Sequence, residues 1–301
     1  MIPSDPALLR AYDYCAQMAR EHYENFPVAS LLLPRSMRPH IAAIYAFARR
    51  ADDFADEGSL EPAERLRLLH DWGRRLQAAA AGDPARAAGI EPLTFKDDNL
   101  VFDALAHTIG ACSLPVSLFE DLLSAFRQDV TTTRYATWAD VLDYCRRSAN
   151  PVGRLVLRVS GRDRPDLDAA SDAVCTALQL TNFWQDLGRD WRQRKRLYVP
   201  QDEMREARAL ERDLTDGRLT AAWRGVLSSL IARTRDLFAA GRTVADHVDG
   251  RLRWELRVTW LGGMRILDKA ERARERSFDE RPALTALDAA AMLRDAVLWT
   301  R

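Results

Sequence analysis

Leu178-Gln179-Leu180-Thr181-Asn182-Phe183-Trp184-Gln185-Asp186-Leu187-Gly188-Arg189-Asp190 is the run whose reading decides the fold. Gln179, Asn182, Asp186 and Asp190 follow at steps of three, four and four. That spacing stacks them on one face of an α-helix, predicted to run from Asp166 to Asp190. Leu178, Leu180, Phe183, Trp184 and Leu187 fill most of the remaining circumference, so the helix is expected to be buried. Buried amides and carboxylates need partners. Cations facing a polar cavity would supply them.

Working outward, a second stripe lies upstream in Ile44-Tyr45-Ala46-Phe47-Ala48-Arg49-Arg50-Ala51-Asp52-Asp53-Phe54-Ala55-Asp56-Glu57. Tyr45, Arg49, Asp52 and Asp56 step by four, three and four along one helical face. Two interior helices, each offering carboxylates one turn apart, are expected to face each other across a cavity. Ligation by oxygen alone suits magnesium, which keeps several waters and is completed by substrate phosphates. Aspartates at this spacing more often form solvated ion pairs. Two stripes of one length and logic, each on an otherwise apolar helix, favour a metal and anion site.

The basic run Trp191-Arg192-Gln193-Arg194-Lys195-Arg196-Leu197-Tyr198-Val199-Pro200 follows directly. A solvated loop is the usual meaning of such a run. Its place beyond the carboxylates suggests instead guanidinium forks for phosphate oxygens, with Arg196 and Tyr198 facing the site. In Tyr144 to Gly153, small Ala149 and Gly153 flank Pro151 and leave room for a ligand or a closely packed helix. Plain helix packing explains them almost as well.

The rest of the chain reads as helix after helix, without a convincing strand. Helices are expected over Ala7–Glu24, about Met37–Glu57, from an opening at Ser59 with Glu61 and Pro62 to near Ala81-Gly82, over Asn99–Gly110 and over Pro115 to about Val130. They continue over Trp138–Ser148 capped by Thr137, with a kink or restart at Pro151-Val152-Gly153, and over Gln201–Leu210. Leu219–Val248, Arg251–Arg274 and Leu284–Trp299 close the series. Asp83 to Asp97, mixed in Pro, Gly and charge, reads as an exposed loop. No repeat or linker divides the chain, so a single all-α domain over residues 1–301 is expected.

Lys plus Arg equals Asp plus Glu at 44 each, giving no sign of a nucleic-acid partner. Cys15, Cys112, Cys145 and Cys175 have no Cys-x-x-Cys spacing and read as ordinary thiols of a reducing compartment. The first twenty residues lack a signal-peptide core, and no apolar run has membrane-spanning length. A cytoplasmic protein is expected, with peripheral contact at the inner face of a membrane left open. The five histidines form no zinc pattern. There is no dinucleotide fingerprint, P-loop or Gly-x-Ser-x-Gly. Tryptophan and phenylalanine are most simply core, though some ring faces could shelter a carbocation.

Asp52-Asp53-Phe54-Ala55-Asp56 and Asn182-Phe183-Trp184-Gln185-Asp186-Leu187-Gly188-Arg189-Asp190 resemble the two aspartate-rich motifs of the squalene and phytoene synthase family. Tyr45 to Arg49, Tyr144 to Gly153 and Arg196-Leu197-Tyr198-Val199-Pro200 match its pattern in the same order. The resemblance covers roughly Ala16 to Ala270 and implies the all-α isoprenoid synthase fold, a helical bundle around a central cavity. It implies magnesium held by Asp52, Asp56, Asp186 and Asp190, bridging to a prenyl diphosphate. Gln179 and Asn182 would line the cavity, Tyr45 and Arg49 would reach the diphosphate, and Tyr144, Ala149, Val152 and Gly153 would border an isoprenoid channel.

Within the family, Glu24-Asn25-Phe26-Pro27-Val28-Ala29-Ser30 with Leu32-Leu33-Pro34 looks like the bacterial hydroxysqualene synthase branch. The chain carries Gly262-Gly263 where other branches tend to have an aromatic residue. The implied reaction is magnesium-dependent conversion of presqualene diphosphate and water to hydroxysqualene and diphosphate, in hopanoid precursor formation. The alternative is head-to-head condensation of farnesyl or related prenyl diphosphates. A non-catalytic assembly factor would be expected to lack the carboxylates, and all four stand. Besides the substrate, the partners left open are a bilayer, because the product is a lipid, and other enzymes of the pathway. No amphipathic anchor stands out.

Overall fold

The computed structural model describes residues 5–21, 32–56, 58–82, 97–273, 278 and 281–299. These residues are helical almost throughout, and none lies in a strand; a lone parallel bridge pairs Arg134 with Leu197. The subgroup motif of residues 24–30 and the expected loop of residues 83–96 lie outside the described residues. Contacts group the chain into two compact units, Met1–Thr131 with Pro151–Arg164, and Thr132–Asn150 with Pro165–Arg301.

The first unit holds α1 (Pro6–Glu21), α2 (Arg38–Asp56), α3 (Pro62–Ala80), α4 (Asp98–Cys112), α5 (Val116–Thr131) and α7 (Asn150–Val159). Helix α2 packs against α1, α3, α4 and α5. Its fully buried Ala43, Ala46, Phe47 and Ala51 recur at helical spacing and fix which side faces inward. Phe47 meets Trp72 at 5.8 Å and Phe119 at 5.4 Å between ring centres, and Trp72 Nε1 donates to the Phe47 carbonyl at 3.3 Å. This aromatic knot leaves the opposite side of α2 for Tyr45, Arg49, Asp52 and Asp56.

The second unit holds α6 (Trp138–Ser148), α8 (Pro165–Gln185), α9 (Leu187–Arg194), α10 (Gln201–Ala207), α11 (Glu211–Thr215), α12 (Ala221–Gly241), α13 (Gly250–Ala273) and α14 (Ala286–Val297). Helix α8 packs against α6, α12 and α13. A Cβ on Gly263 would lie 2.5 Å from Leu178 Cδ2 and 2.6 Å from Phe238 Cζ. Glycine there lets α13 close on α8 and α12, and an aromatic side chain would not fit this approach.

Helix ends follow side-chain chemistry. Thr137 and Thr285 each form a reciprocal capping box, with Asp140 and Asp288 respectively. Pro151 does restart the helix, since α6 stops at Ser148 and α7 begins at Asn150. Several expected helices are shorter than read; the last spans Ala286–Val297 instead of Leu284–Trp299. The one from Gln201 stops at Ala207, because Arg208 turns left-handed at φ 59°; the one from Leu219 ends at Gly241 and tightens into a 3-10 turn over Arg242–Asp246.

Candidate active site

The unbroken helix expected from Asp166 to Asp190 is in fact two. Asp186 leaves helical geometry at φ −100°, ψ 8°, ending α8 and leading into α9. Two backbone bonds carry the register across: Asp186 N–H donates to Asn182 O and Asp190 N–H to Asp186 O, each at 2.8 Å. Asn182, Asp186 and Asp190 therefore remain one turn apart despite the kink.

The stripe is less buried than its apolar surroundings suggest. Leu180, Phe183, Trp184 and Leu187 are buried, whereas Asn182 is exposed and Gln179, Asp186 and Asp190 are half-buried. Burial and the neighbouring Asp186 carboxylate push the Asp190 carboxyl up to about 6, against the pull of Arg194, Arg196 and Arg189. Two carboxylates sharing a site in this way favour a cation between them.

A guanidinium already sits there. Arg281 Nε lies 2.5 Å from Asp186 Oδ1, and its Nη2 lies 3.1 Å from Oδ2. The chain around it is tied down on both sides of the kink. Gln185 Nε2 donates to Pro282 O at 2.5 Å, and Arg192 Nη2 donates to Phe278 O at 2.7 Å. A Cβ on Gly188 would lie 1.9 Å from Phe278 O, so glycine is what admits this crossing. Sequence reasoning missed Arg281, since one arginine in a charge-rich stretch has no spacing to distinguish it.

The basic run divides by role. Arg192 stacks 4.9 Å over Phe278, and Lys195 stacks 4.9 Å over Trp191. Arg196 instead turns inward and is buried, with Nη1 3.4 Å from the Tyr198 hydroxyl. Tyr198 stacks face to face on Phe183 at 3.6 Å and lies 5.8 Å from Tyr144, while Tyr135 is 5.5 Å from Tyr198. Tyr144, Tyr198 and the α8 stripe thus belong to one aromatic and polar neighbourhood. Tyr135 and Phe183 are its unforeseen members. Ala149 caps α6 and is buried, beside Asn150, whose Oδ1 accepts from Thr176 Oγ1 at 2.9 Å.

In the first unit the second stripe lies on α2 as spaced. Tyr45, Arg49 and Asp56 are half-buried, and the Asp52 side chain is 42% exposed, so this stripe is wetter than expected. Arg49 spans Asp52 at 3.3 Å and Asp53 at 2.6 Å. Arg50 reaches Asp53 at 3.3 Å and the fully buried Asp98 at 2.9 Å. Burial raises the Asp98 carboxyl to about 6 even with Arg50 alongside. Val152, on α7, is 43% exposed, and Gly153 is half-buried.

Among the described residues no group of three His, Cys, Asp or Glu side chains could by itself hold a metal. Each unit offers an aspartate pair one turn apart, which fits a hard ion completed by water and phosphate oxygens. The Arg281 guanidinium on Asp186 shows that the α8–α9 junction accepts a positive charge. The donor set fits magnesium. A separate cavity of about 520 Å³ opens beside Trp184, Ser228, Ile231 and Glu271, and none of the aspartates lines it.

An all-α isoprenoid synthase fold carrying paired aspartate stripes defines the class. The match that follows is specific: the squalene/phytoene synthase family model covers residues 19–288, and the chain belongs to that family. A hydroxysqualene synthase from Zymomonas mobilis is 38% identical over 237 residues, covering 78% of this chain and 74% of that protein. A 15-cis-phytoene synthase from Synechococcus elongatus is 31% identical over 288 residues, covering 90% of this chain and 89% of its own. The crystal structure of a squalene synthase from Alicyclobacillus acidocaldarius superposes with a TM-score of 0.79 at 36% identity, over 92% of this chain and 97% of that one.

Proposed function

We propose that the protein, working as one domain over residues 1–301, converts presqualene diphosphate and water to hydroxysqualene and diphosphate with magnesium. The observation that carries this reading is the α8–α9 junction. There two carboxylates one turn apart, one of them raised to about 6, lie beside buried Arg196 and a wall of aromatic rings. The Zymomonas mobilis relative, named a hydroxysqualene synthase, supports the choice within the family.

In this reading Asp52 and Asp56 on α2, and Asp186 and Asp190 at the α8–α9 junction, would each hold magnesium, and Tyr45, Arg49 and Arg196 would donate to diphosphate oxygens. Bound there, magnesium would supply Lewis acidity for a departing diphosphate. Gln179 and Asn182 position the polar end of the substrate beside the carboxylates. Tyr144, Ala149, Val152 and Gly153 border the chain of the isoprenoid. The ring faces of Tyr144, Phe183 and Tyr198 favour positive charge while the carbon cation rearranges. Dry walls exclude stray nucleophiles until one water adds. Residence is cytoplasmic, with contact at a bilayer surface; no helix among the described residues is long and apolar enough to cross a membrane.

Head-to-head condensation of farnesyl diphosphate is the second reading, favoured by the identity to a phytoene synthase. Product analysis separates the two. Farnesyl diphosphate and presqualene diphosphate are supplied in turn, with magnesium and without NADPH. Hydroxysqualene from the second is expected; turnover of farnesyl diphosphate alone would move the assignment to condensation.

A further inference from the structure

Helix α14 has two unlike faces. Toward α13 it buries Met292 and Ala296 and turns its carboxylates the same way. Asp288 lies 2.6 Å from Lys269 Nζ, and Asp295 lies 2.7 Å from Arg265 Nη2. Outward stand Leu287, 83% exposed, Leu293 at 50%, Val297 at 67% and Leu298 at 61%, with exposed Ala290 between them. Single exposed leucines are ordinary, but a row at helical spacing is an amphipathic face turned to solvent. Arg294 is the sole exposed charged side chain among the described residues of α14.

The C-terminal end of this face has a cationic and aromatic border. Arg257 donates to Ala296 O at 3.0 Å and lies 5.7 Å from the Trp254 ring and 5.3 Å from that of Trp299. Arg242 stacks on Trp299 at 4.2 Å, and Trp254 is exposed. Arg242, Arg251, Arg253 and Arg257 outnumber Asp246, Asp249 and Glu255 by one in this stretch, and Arg257 lies 3.8 Å from Asp246. Asp246 is already engaged by Trp299 Nε1 at 3.1 Å.

We propose that the outward face of α14 docks on an anionic lipid bilayer. Leu287, Leu293, Val297 and Leu298 enter the acyl boundary, while Trp254 and the exposed Arg251 and Arg294 sit at headgroup level. Apolar residues on one side with tryptophan and arginine at the border match the layering of a membrane interface. The positive border complements anionic headgroups and gives binding that weakens with salt. This deepens the bilayer contact proposed above and is independent of which reaction the site performs.

The test is flotation of the full chain with vesicles of phosphatidylcholine alone, and of phosphatidylcholine with phosphatidylglycerol. Wild-type protein is expected to float with the anionic vesicles and to be released by salt. A Leu287→Ser, Leu293→Ser, Val297→Ser triple variant is expected to lose roughly tenfold in partitioning at unchanged melting temperature. Its turnover of presqualene diphosphate in detergent should match wild type. Wild type that floats with neither vesicle overturns the proposal, as does a triple variant that floats equally well. A lipid-free dimer that the variant dissolves assigns the face to a second copy of the chain instead. Arg294→Glu, which leaves the apolar row intact, gives a second reading: weaker flotation supports the proposal, and flotation unchanged at every salt concentration counts against it. Flotation without turnover in both proteins would count against the reaction and leave the docking surface standing.

Discussion

The carboxylates of α2 and those of the α8–α9 junction look alike in sequence but are held differently. On α2, Asp52 and Asp53 take their cation from Arg49 on the same helix, at i, i+3 and i, i+4. At the junction, Asp186 takes its cation from Arg281, 95 residues away. A local partner forms as soon as the helix does, and it travels with the acid. A distant partner is present only when another segment has docked, so it can be withdrawn. The same spacing therefore encodes a standing ion pair in one place and an exchangeable one in the other.

The strongest challenge to this comparison is removal of one acid from each stripe. Asp52→Asn and Asp186→Asn are each expected to lower magnesium-dependent diphosphate release by about a hundredfold or more, with each fold intact by circular dichroism. Full turnover in either variant would make that stripe dispensable. Gly188→Ala tests the docked segment. Its methyl group would meet the Phe278 carbonyl at 1.9 Å, so a loss of about 1–3 kcal/mol is expected in urea unfolding. An unchanged midpoint would mean that the segment contributes nothing to stability.

Glu255 sharpens the contrast as a carboxyl shifted by burial alone. Its pKa is raised to about 8, against about 4.3 in an unfolded chain. The folded state therefore holds the proton more tightly than the unfolded state does. Stability is undiminished below about pH 4.3, falls as pH rises toward 8, and levels off above that. Glu255→Gln should raise stability by about 1–2 kcal/mol near pH 9 and change it little near pH 5. Melting curves at the two values check this, and an equal shift at both would deny the burial cost.

The smallest effect is expected from Arg281→Ala. Its pair with Asp186 is partly exposed, so the metal-free protein should lose no more than about 1 kcal/mol. Magnesium titration by calorimetry should then saturate at a lower concentration than in wild type. Weaker binding would show that Arg281 assists the ion rather than competing with it.

Most of the fold was legible because helical burial repeats at short range. The spacing of Tyr45, Arg49, Asp52 and Asp56 announced the polar side of α2, and Thr137 announced the start of α6. The kink at Asp186 was not legible, and neither were its contacts with Arg281 and those of its neighbours with Phe278 and Pro282, which sequence distance hides. The chosen acids, Arg196 and Tyr198 were suggested by spacing and by adjacency to the stripe. Asp98 under Arg50 and the Phe183–Tyr198 stack depend on tertiary contact, and no local pattern marks them. The outward apolar row of α14 was missed for a related reason. Without knowing that Met292 and Ala296 are the buried side, the sequence does not show which face its leucines take.

Gly188 has a consequence for any survey of mutational tolerance. Every one of its coding neighbours adds at least a Cβ, and the carbonyl of Phe278 already fills that space. In a saturation library this column should be sparse, with alanine the best tolerated and larger side chains missing. Its gaps would come from crowding, and a ranking by intolerance alone would count as chemistry a position that performs none.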